Sequence, residues 1–234
     1  MGKTIIQQAR GHGSFTYRVR RSAYRYEINY PPYGTVGKYK IIALVNSPCH
    51  TAPLAKLVVN NKPYFIPAAQ GVFEGQEVEF GGTEIKTGNV VAVKNIPIEA
   101  KMFNIEIRPG DGGKIGRTSG TAANVLRTDA DGGIRVLLSS KKETKLNPES
   151  RATIGIAAGQ GRMLKPVLKA GKKHHMMKAR NKLWPRTSAV KFNAVDHPFG
   201  CGRGKRIKSK IAKRNAPAGA KVGHLRPSRT GKIR

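Results

Sequence analysis

Between Lys169 and Arg234 the chain sets 20 lysines and arginines against a single acid, Asp196. With a local charge of +19 and few apolar clusters, such a stretch repels itself and buries too little surface to offset its own ordering entropy. It is expected to take its final shape only against a polyanion. The excess is smaller elsewhere: residues 101–168 hold 12 basic and 6 acidic side chains, residues 30–100 hold 6 and 5, and residues 1–29 hold 6 and 1. A nearly neutral centre between basic ends reads as a folded body with two arms. The whole chain, 234 residues with net charge +31 and 6% aromatic residues, can bury a modest core. Nucleic acid suits that charge better than a membrane does, because no long apolar run or basic amphipathic helix is present.

The first residues lack the apolar core of a signal peptide, and Ile6 stands where a myristoylation signal needs Ser or Thr. Cys49 and Cys201 match neither a metal-ligand spacing nor a disulfide framework, as expected of a reducing compartment. The expectation is a cytoplasmic chain with no cofactor, no metal and no membrane partner.

From Tyr33 to Asn104 short β-rich runs recur: KYKIIALV, LAKLVV, PYFIP, EVEF and NVVAV. Turn signals at Asn60-Asn61-Lys62 and Gly81-Gly82-Thr83 separate them, and five such runs argue for a small antiparallel barrel of the OB type. After a linker-like stretch at residues 95–101 comes a second block, FNIEI, TAANVLRT, GIRVLLSS, KETKL and RATIGIAA, with Asp131-Gly132-Gly133 placed as a hairpin. This predicts an all-β core of two barrels, residues 33–100 and 101–168. A basic N-terminal arm (1–32) and a basic C-terminal extension (169–234) flank it. One helix is expected, over residues 174–184, ending before Pro185.

In the N-terminal arm Lys3, Arg10, Arg18, Arg20 and Arg21 alternate with Phe15, Tyr17, Tyr24 and Tyr26. Arginine forks bind phosphates, and flat rings stack on unpaired bases. A mitochondrial targeting peptide is a rival for this arm, weakened by the equally basic far end. In the extension, Lys172, Lys173, Lys178, Arg180, Lys182 and Arg186 are candidate phosphate contacts, with Arg203, Lys205, Arg206 and Arg214 beyond them. Trp184, the only tryptophan, suits either a packing anchor or a base-stacking platform. His174, His175, Met176 and Met177 resemble a metal box, yet no acid or cysteine lies near in sequence to complete one.

The stretch from Asn193 to Arg206, NAVDHPFGCGRGKR, is expected to be a shaped loop, with Gly200 and Gly202 allowing close backbone approach and Asn193 and His197 inside it. Asp196 beside His197 suggests a general base, but neighbouring side chains diverge and no nucleophile has a recognisable context. His197 is thus the one candidate catalytic residue, and an enzyme is not expected. GDGGKIGR, residues 110–117, lacks the Walker and dinucleotide spacings. It reads as a tight interstrand connection in which Lys114, Arg117 and a nest of backbone amides could also hold a phosphate.

Six ordered stretches carry a resemblance that runs nearly end to end: GKTIIQQARG, RPGDGGKIGRTSGTAA, LNPESRATIG, VLKAGKKHHMMKARNKLWPR, NAVDHPFGCG and RNAPAGAKVG. They resemble the universal large-subunit ribosomal protein L-two family in its archaeal and eukaryotic form. The resemblance implies an OB-fold barrel, an SH3-like barrel and terminal extensions threading into ribosomal RNA near the peptidyl transferase centre. It also implies neighbouring ribosomal proteins, support of subunit association and tRNA binding, and chemistry performed by the RNA itself. Three departures stand out: Cys201 replaces the middle glycine of the family's DHPFGGG, residues 188–192 read SAVKF where the family has RGVAM, and residues 138–141 replace an LPSG turn. Phe199 stands where bacterial members have a second histidine, which removes a two-histidine mechanism. Two other readings compete. A stand-alone single-strand binder needs a stacking platform on a barrel that is poor in aromatics and charge, and an acyl transferase using His197 needs an organised pocket.

Overall fold

The computed structural model describes residues 3–202 and 215–223. The chain divides into two compact units, residues 20–168 and residues 1–19 with 169–234. Residues 20–168 hold all ten strands found among the described residues: β1 (Gly37–Val45), β2 (Leu54–Val59), β3 (Lys62–Pro67), β4 (Glu77–Phe80), β5 (Val90–Ala92), β6 (Lys101–Phe103), β7 (Ala123–Thr128), β8 (Ile134–Leu137), β9 (Glu143–Leu146) and β10 (Arg151–Ile154). They hydrogen-bond in the order β3-β2-β1-β4-β5-β10-β6-β7-β8-β9. The core is all β.

Local chemistry explains most of the turns. Val59 pairs with Lys62, so Asn60 and Asn61 are a two-residue hairpin loop, and both take positive φ (50° and 61°). Asparagine tolerates that region, which matches the twist of the flanking strands. The loop after β7 closes on itself, with the Asp129 N–H donating to the Gly133 carbonyl at 2.7 Å.

Two expectations fail here. β4 and β5 run parallel, pairing Phe80 with Val90, rather than antiparallel. The buried Asn89 explains it: its Oδ1 accepts from the Glu79 N–H at 3.0 Å and its Nδ2 donates to the Glu84 carbonyl at 3.2 Å, stapling the connection across the strand end. The FNIEI strand is also cut short. Asn104 turns to φ 48°, ending β6 at Phe103, and beyond it only an Ile105–Ile115 bridge continues the pairing.

Two large apolar clusters and a small third one, Ala69 with Phe103 and Ala157, fill this unit. One large cluster gathers Ile41, Leu57, Ile66, Val78, Phe80 and Val90; the other gathers Val91, Val93, Met102, Val125, Val136 and Ile154. Adjacent residues Val90 and Val91 fall in different clusters because successive strand side chains point to opposite faces. β5 thus serves both cores, and it pairs with β10 at Arg151–Ala92 and Thr153–Val90.

A buried ion pair locks this junction. Arg151 is 6% exposed and Glu106 is fully buried; the guanidinium Nη2 donates to Glu106 Oε1 at 2.8 Å and Nε to both carboxylate oxygens at 3.2 Å. Arg151 Nη1 reaches the Pro31 carbonyl at 2.9 Å, and the guanidinium lies 5.2 Å from the Tyr30 ring centre. Tyr30 in turn donates to the Asn104 carbonyl at 2.7 Å and shares a 2.6 Å hydrogen bond with Thr153 Oγ1. Burial, ahead of every other influence, pushes the Tyr30 phenol well above its ordinary range.

The described residues of the other unit include two α-helices, α1 (Ile6–Gly11) and α2 (Ala170–Ala179). α1 was not foreseen. The helix expected at residues 174–184 instead starts and stops earlier. Asn181 turns to φ 48° and the Lys182 N–H donates back to the Met177 carbonyl at 2.9 Å, which closes the helix before Trp184. None of the α2 residues is buried, and no acid lies in its first turn. Only Ile5, His197 and Gly200 are buried among the described residues of this unit.

Candidate nucleic-acid interface

The loop around His197 closes on short-range backbone bonds. The Asp196 and His197 N–H groups both donate to the Asn193 carbonyl, at 3.0 and 3.2 Å, and the Cys201 N–H returns to the Phe192 carbonyl at 3.2 Å. Gly200 sits inside this coil. A Cβ there would lie 2.4 Å from the Asn193 oxygen and 2.6 Å from the Phe192 oxygen, so glycine is needed for space. Cys201, where the family pattern has glycine, holds the positive φ of 83° itself, and Gly202 follows at 87°.

His197 is 8% exposed, with Phe192 stacked at 6.0 Å between ring centres and Phe199 tilted at 5.2 Å. Its Nδ1 accepts the Phe199 N–H at 3.0 Å, which requires the neutral ring with its proton on Nε2. Burial lowers its pKa, in the same direction as that bond. Asp196 does not orient it; this carboxylate faces Lys3 Nζ at 3.9 Å, and both groups are exposed. The Lys3 N–H also donates to the Val195 carbonyl at 2.8 Å. A cleft of about 400 Å³ is lined by His197 and Pro198 together with residues 3–5, Gln8, residues 194–195 and residues 218–220.

The other basic candidates of this unit follow the helices. Lys172, Lys173 and Lys178 are exposed on α2, Lys182 and Arg186 are exposed after it, and Arg180 is half-buried at its C-cap. His174 and His175 pack edge to face at 5.6 Å, and among the described residues no cluster of His, Cys, Asp or Glu could hold a metal. Arg10 is half-buried on α1, and Arg18 is exposed with its guanidinium 5.8 Å from the Phe15 ring centre. Phe15 itself is 93% exposed. Asn193 and Gly202 lie at the loop surface, whereas Arg203, Lys205, Arg206 and Arg214 fall outside the described residues.

In the other unit Arg20 and Arg21 are exposed at a short 3-10 turn, Arg21–Tyr24. The 110–117 loop needs correcting. Its amides are occupied internally: Gly112 N–H donates to Glu106 Oε1 (3.1 Å), Gly113 N–H to Asp111 Oδ1 (3.0 Å), and the Lys114 and Ile115 N–H groups to the Ile105 carbonyl (2.8 and 3.0 Å). Two carboxylates of the chain itself sit where a phosphate nest would need free donors. Arg117 is likewise turned inward, with Nη1 on the Gly113 carbonyl at 2.9 Å, while Lys114 stays exposed. Nothing in the sequence marks Glu106 and Arg151 as partners, because they lie 45 residues apart and only folding brings the loop after β6 against β10.

One unit is acid-poor and presents lysines and arginines; the β unit pairs its interior charges, Arg151 with Glu106. The family model described as "Ribosomal Proteins L2, C-terminal domain" matches residues 86–219, more than half of the chain. Large ribosomal subunit protein uL2 of Hyperthermus butylicus is 41% identical over 236 residues, covering 99% of each chain. The uL2 of Methanothermobacter thermautotrophicus is 40% identical over 242 residues and all of both chains; that of Natronomonas pharaonis is 39% identical over 237 residues, covering 99% of this chain and 97% of its own. With the likeness spanning both the β unit and the basic ends, this chain belongs to the uL2 family of large ribosomal subunit proteins.

Proposed function

We propose that the chain is a structural, non-enzymatic constituent of the large ribosomal subunit that binds large-subunit ribosomal RNA near the peptidyl transferase centre. It supports subunit association, tRNA binding and translation, with neighbouring ribosomal proteins as further partners and tRNA and the small subunit close by, in the cytoplasm. In this reading residues 33–100 form an OB-type barrel, residues 101–168 an SH3-like barrel, and residues 1–32 and 169–234 the RNA-binding extensions. The basic candidates act as phosphate contacts, Arg117 excepted as a loop strut. One observation carries the reading: the unit made of residues 1–19 and 169–234 combines exposed cations with almost no apolar interior among its described residues. A surface of that kind gains its stabilisation from counterion release against phosphates.

His197 decides between architecture and catalysis. Its Nδ1 is already bonded to the Phe199 N–H and its ring packs against Phe192 and Phe199, which supports a positioning role. The test is His197→Ala in purified, complete large subunits, with peptide-bond formation measured by single turnover at saturating substrate alongside particle yield and subunit joining. A general base lost to alanine costs about 10² to 10⁴ in the chemical step. The expected result is a near-normal rate with reduced yield or joining. A fall of a hundredfold or more in intact particles would overturn the assignment.

A further inference from the structure

After α2 the chain folds back on itself. Asn181 takes positive φ, the Lys182 N–H bonds to the Met177 carbonyl, and Trp184 returns to the side of the helix, where Lys173 Nζ lies 5.6 Å from the indole centre. The turn opens a cleft of about 290 Å³, lined among others by Arg10, Tyr17, Lys178, Asn181, Lys182 and Trp184. Lys173 is not part of that lining, so its cation occupies one approach to the indole while the ring also borders the cleft. Among the described residues no acid lines the cleft.

Three features define the ligand. The volume lies at the low end of small-molecule sites, too small for a nucleic-acid helix and suited to one flat group. Two aromatic rings beside an amide side chain offer stacking together with donors and an acceptor for the edge of a base. Arg10, Lys178 and Lys182 supply the positive charge a phosphodiester needs on either side of that base. Resting on the RNA-binding reading above, we propose that this cleft takes a single unpaired nucleotide of ribosomal RNA, its base against Trp184 and its phosphates on Arg10, Lys178 and Lys182. The site reads stacking rather than sequence, and it gives the C-terminal extension a fixed anchor point on an otherwise charge-held path.

Trp184 is the chain's only tryptophan, so its fluorescence reports this cleft alone. The full chain is titrated, at salt high enough to suppress loose association, with a ten-nucleotide adenine-containing single-stranded RNA and with an abasic ribose-phosphate oligomer of equal length. Stacking quenches the indole with the first and not with the second. With binding of the variants, which lack the indole, read instead by the anisotropy of dye-labelled oligomers, Trp184→Ala should weaken binding of the base-containing RNA by about tenfold to a hundredfold, the range of aromatic base-stacking losses, and leave the abasic oligomer unchanged. Trp184→Phe should recover part of the loss, which guards against a variant that merely misfolds. Equal quenching by both oligomers, or Trp184→Ala binding as the parent does, overturns the nucleotide site. Salt-sensitive RNA binding without any indole change removes this site and leaves the wider RNA reading standing. No RNA binding even at low salt removes both.

Discussion

Cys201 holds φ at +83°, a region where a side chain costs about 1–2 kcal/mol per residue and glycine costs almost nothing sterically. The cysteine at this position therefore loads strain onto the turn. Cys201→Gly should stabilise the loop by up to about 1.5 kcal/mol, after subtracting the roughly 0.5–1 kcal/mol of extra backbone entropy that glycine brings. Amide exchange at Phe192 to Gly202 measures it, and faster exchange in the variant would show the cysteine to be unstrained. His197 gives a pH dependence with a definite sign. Burial lowers its folded pKa, so its contribution is full above the unfolded value of about 6.5 and is lost as pH falls through the folded value. An NMR titration of the full chain should place the His197 midpoint below that of a free histidine, with the Phe199 amide shifting in step. A midpoint at or above the unfolded value would exclude the buried neutral ring.

At the scale of elements, β10 is the strand on which the β unit turns. All four of its residues are buried, Ala152 and Ile154 toward one apolar cluster and Arg151 and Thr153 toward the Tyr30 side. A charge on such a strand survives only with its partner: Glu106 accepts from the Arg151 fork, from the Arg151 backbone N–H at 2.9 Å and from Gly112. Removing the cation strands a fully buried carboxylate. Arg151→Ala should therefore cost about 3–5 kcal/mol, the usual penalty for one half of a buried pair. For a unit of this size that lowers Tm by about 10 °C or more, measured by thermal unfolding of the full chain. Replacing both partners by apolar residues of similar volume should recover much of the loss. A double variant as unstable as the single one would mean that the backbone bonds to Glu106, rather than the charge pair, hold the junction.

For the whole molecule, the division of labour is electrostatic. The β unit buries apolar residues in three clusters, while the unit of residues 1–19 and 169–234 buries three described residues and carries most of the excess charge. RNA affinity should accordingly fall steeply with salt, by about 10³ to 10⁵ between 50 and 200 mM if on the order of ten phosphates are neutralised. Filter binding of the full chain to a large-subunit RNA fragment tests this, and a flat response would contradict a phosphate-held interface. The paired charges inside the β unit, Arg151 and Glu106, should not enter that slope, because their partners are already internal.

Charge distribution and hydrophobic alternation are local properties, and they were legible from the residues alone: the β-rich centre, the basic ends, the Asn60-Asn61 hairpin and the glycine-shaped loop at His197 all follow from them. What the chain does with its polar groups was not, because a side chain's partner is set by residues distant in sequence. Residues 110–117 read as a tight interstrand connection that could also hold a phosphate, and only folding brought Glu106 and Asp111 to its amides and Arg117 onto the Gly113 carbonyl. The parallel step from β4 to β5 likewise depends on Asn89 bonding across its own loop, and the place of Trp184 depends on one left-handed asparagine reversing the chain after α2. Pattern sets which residues leave water; three-dimensional closure decides which donor meets which acceptor.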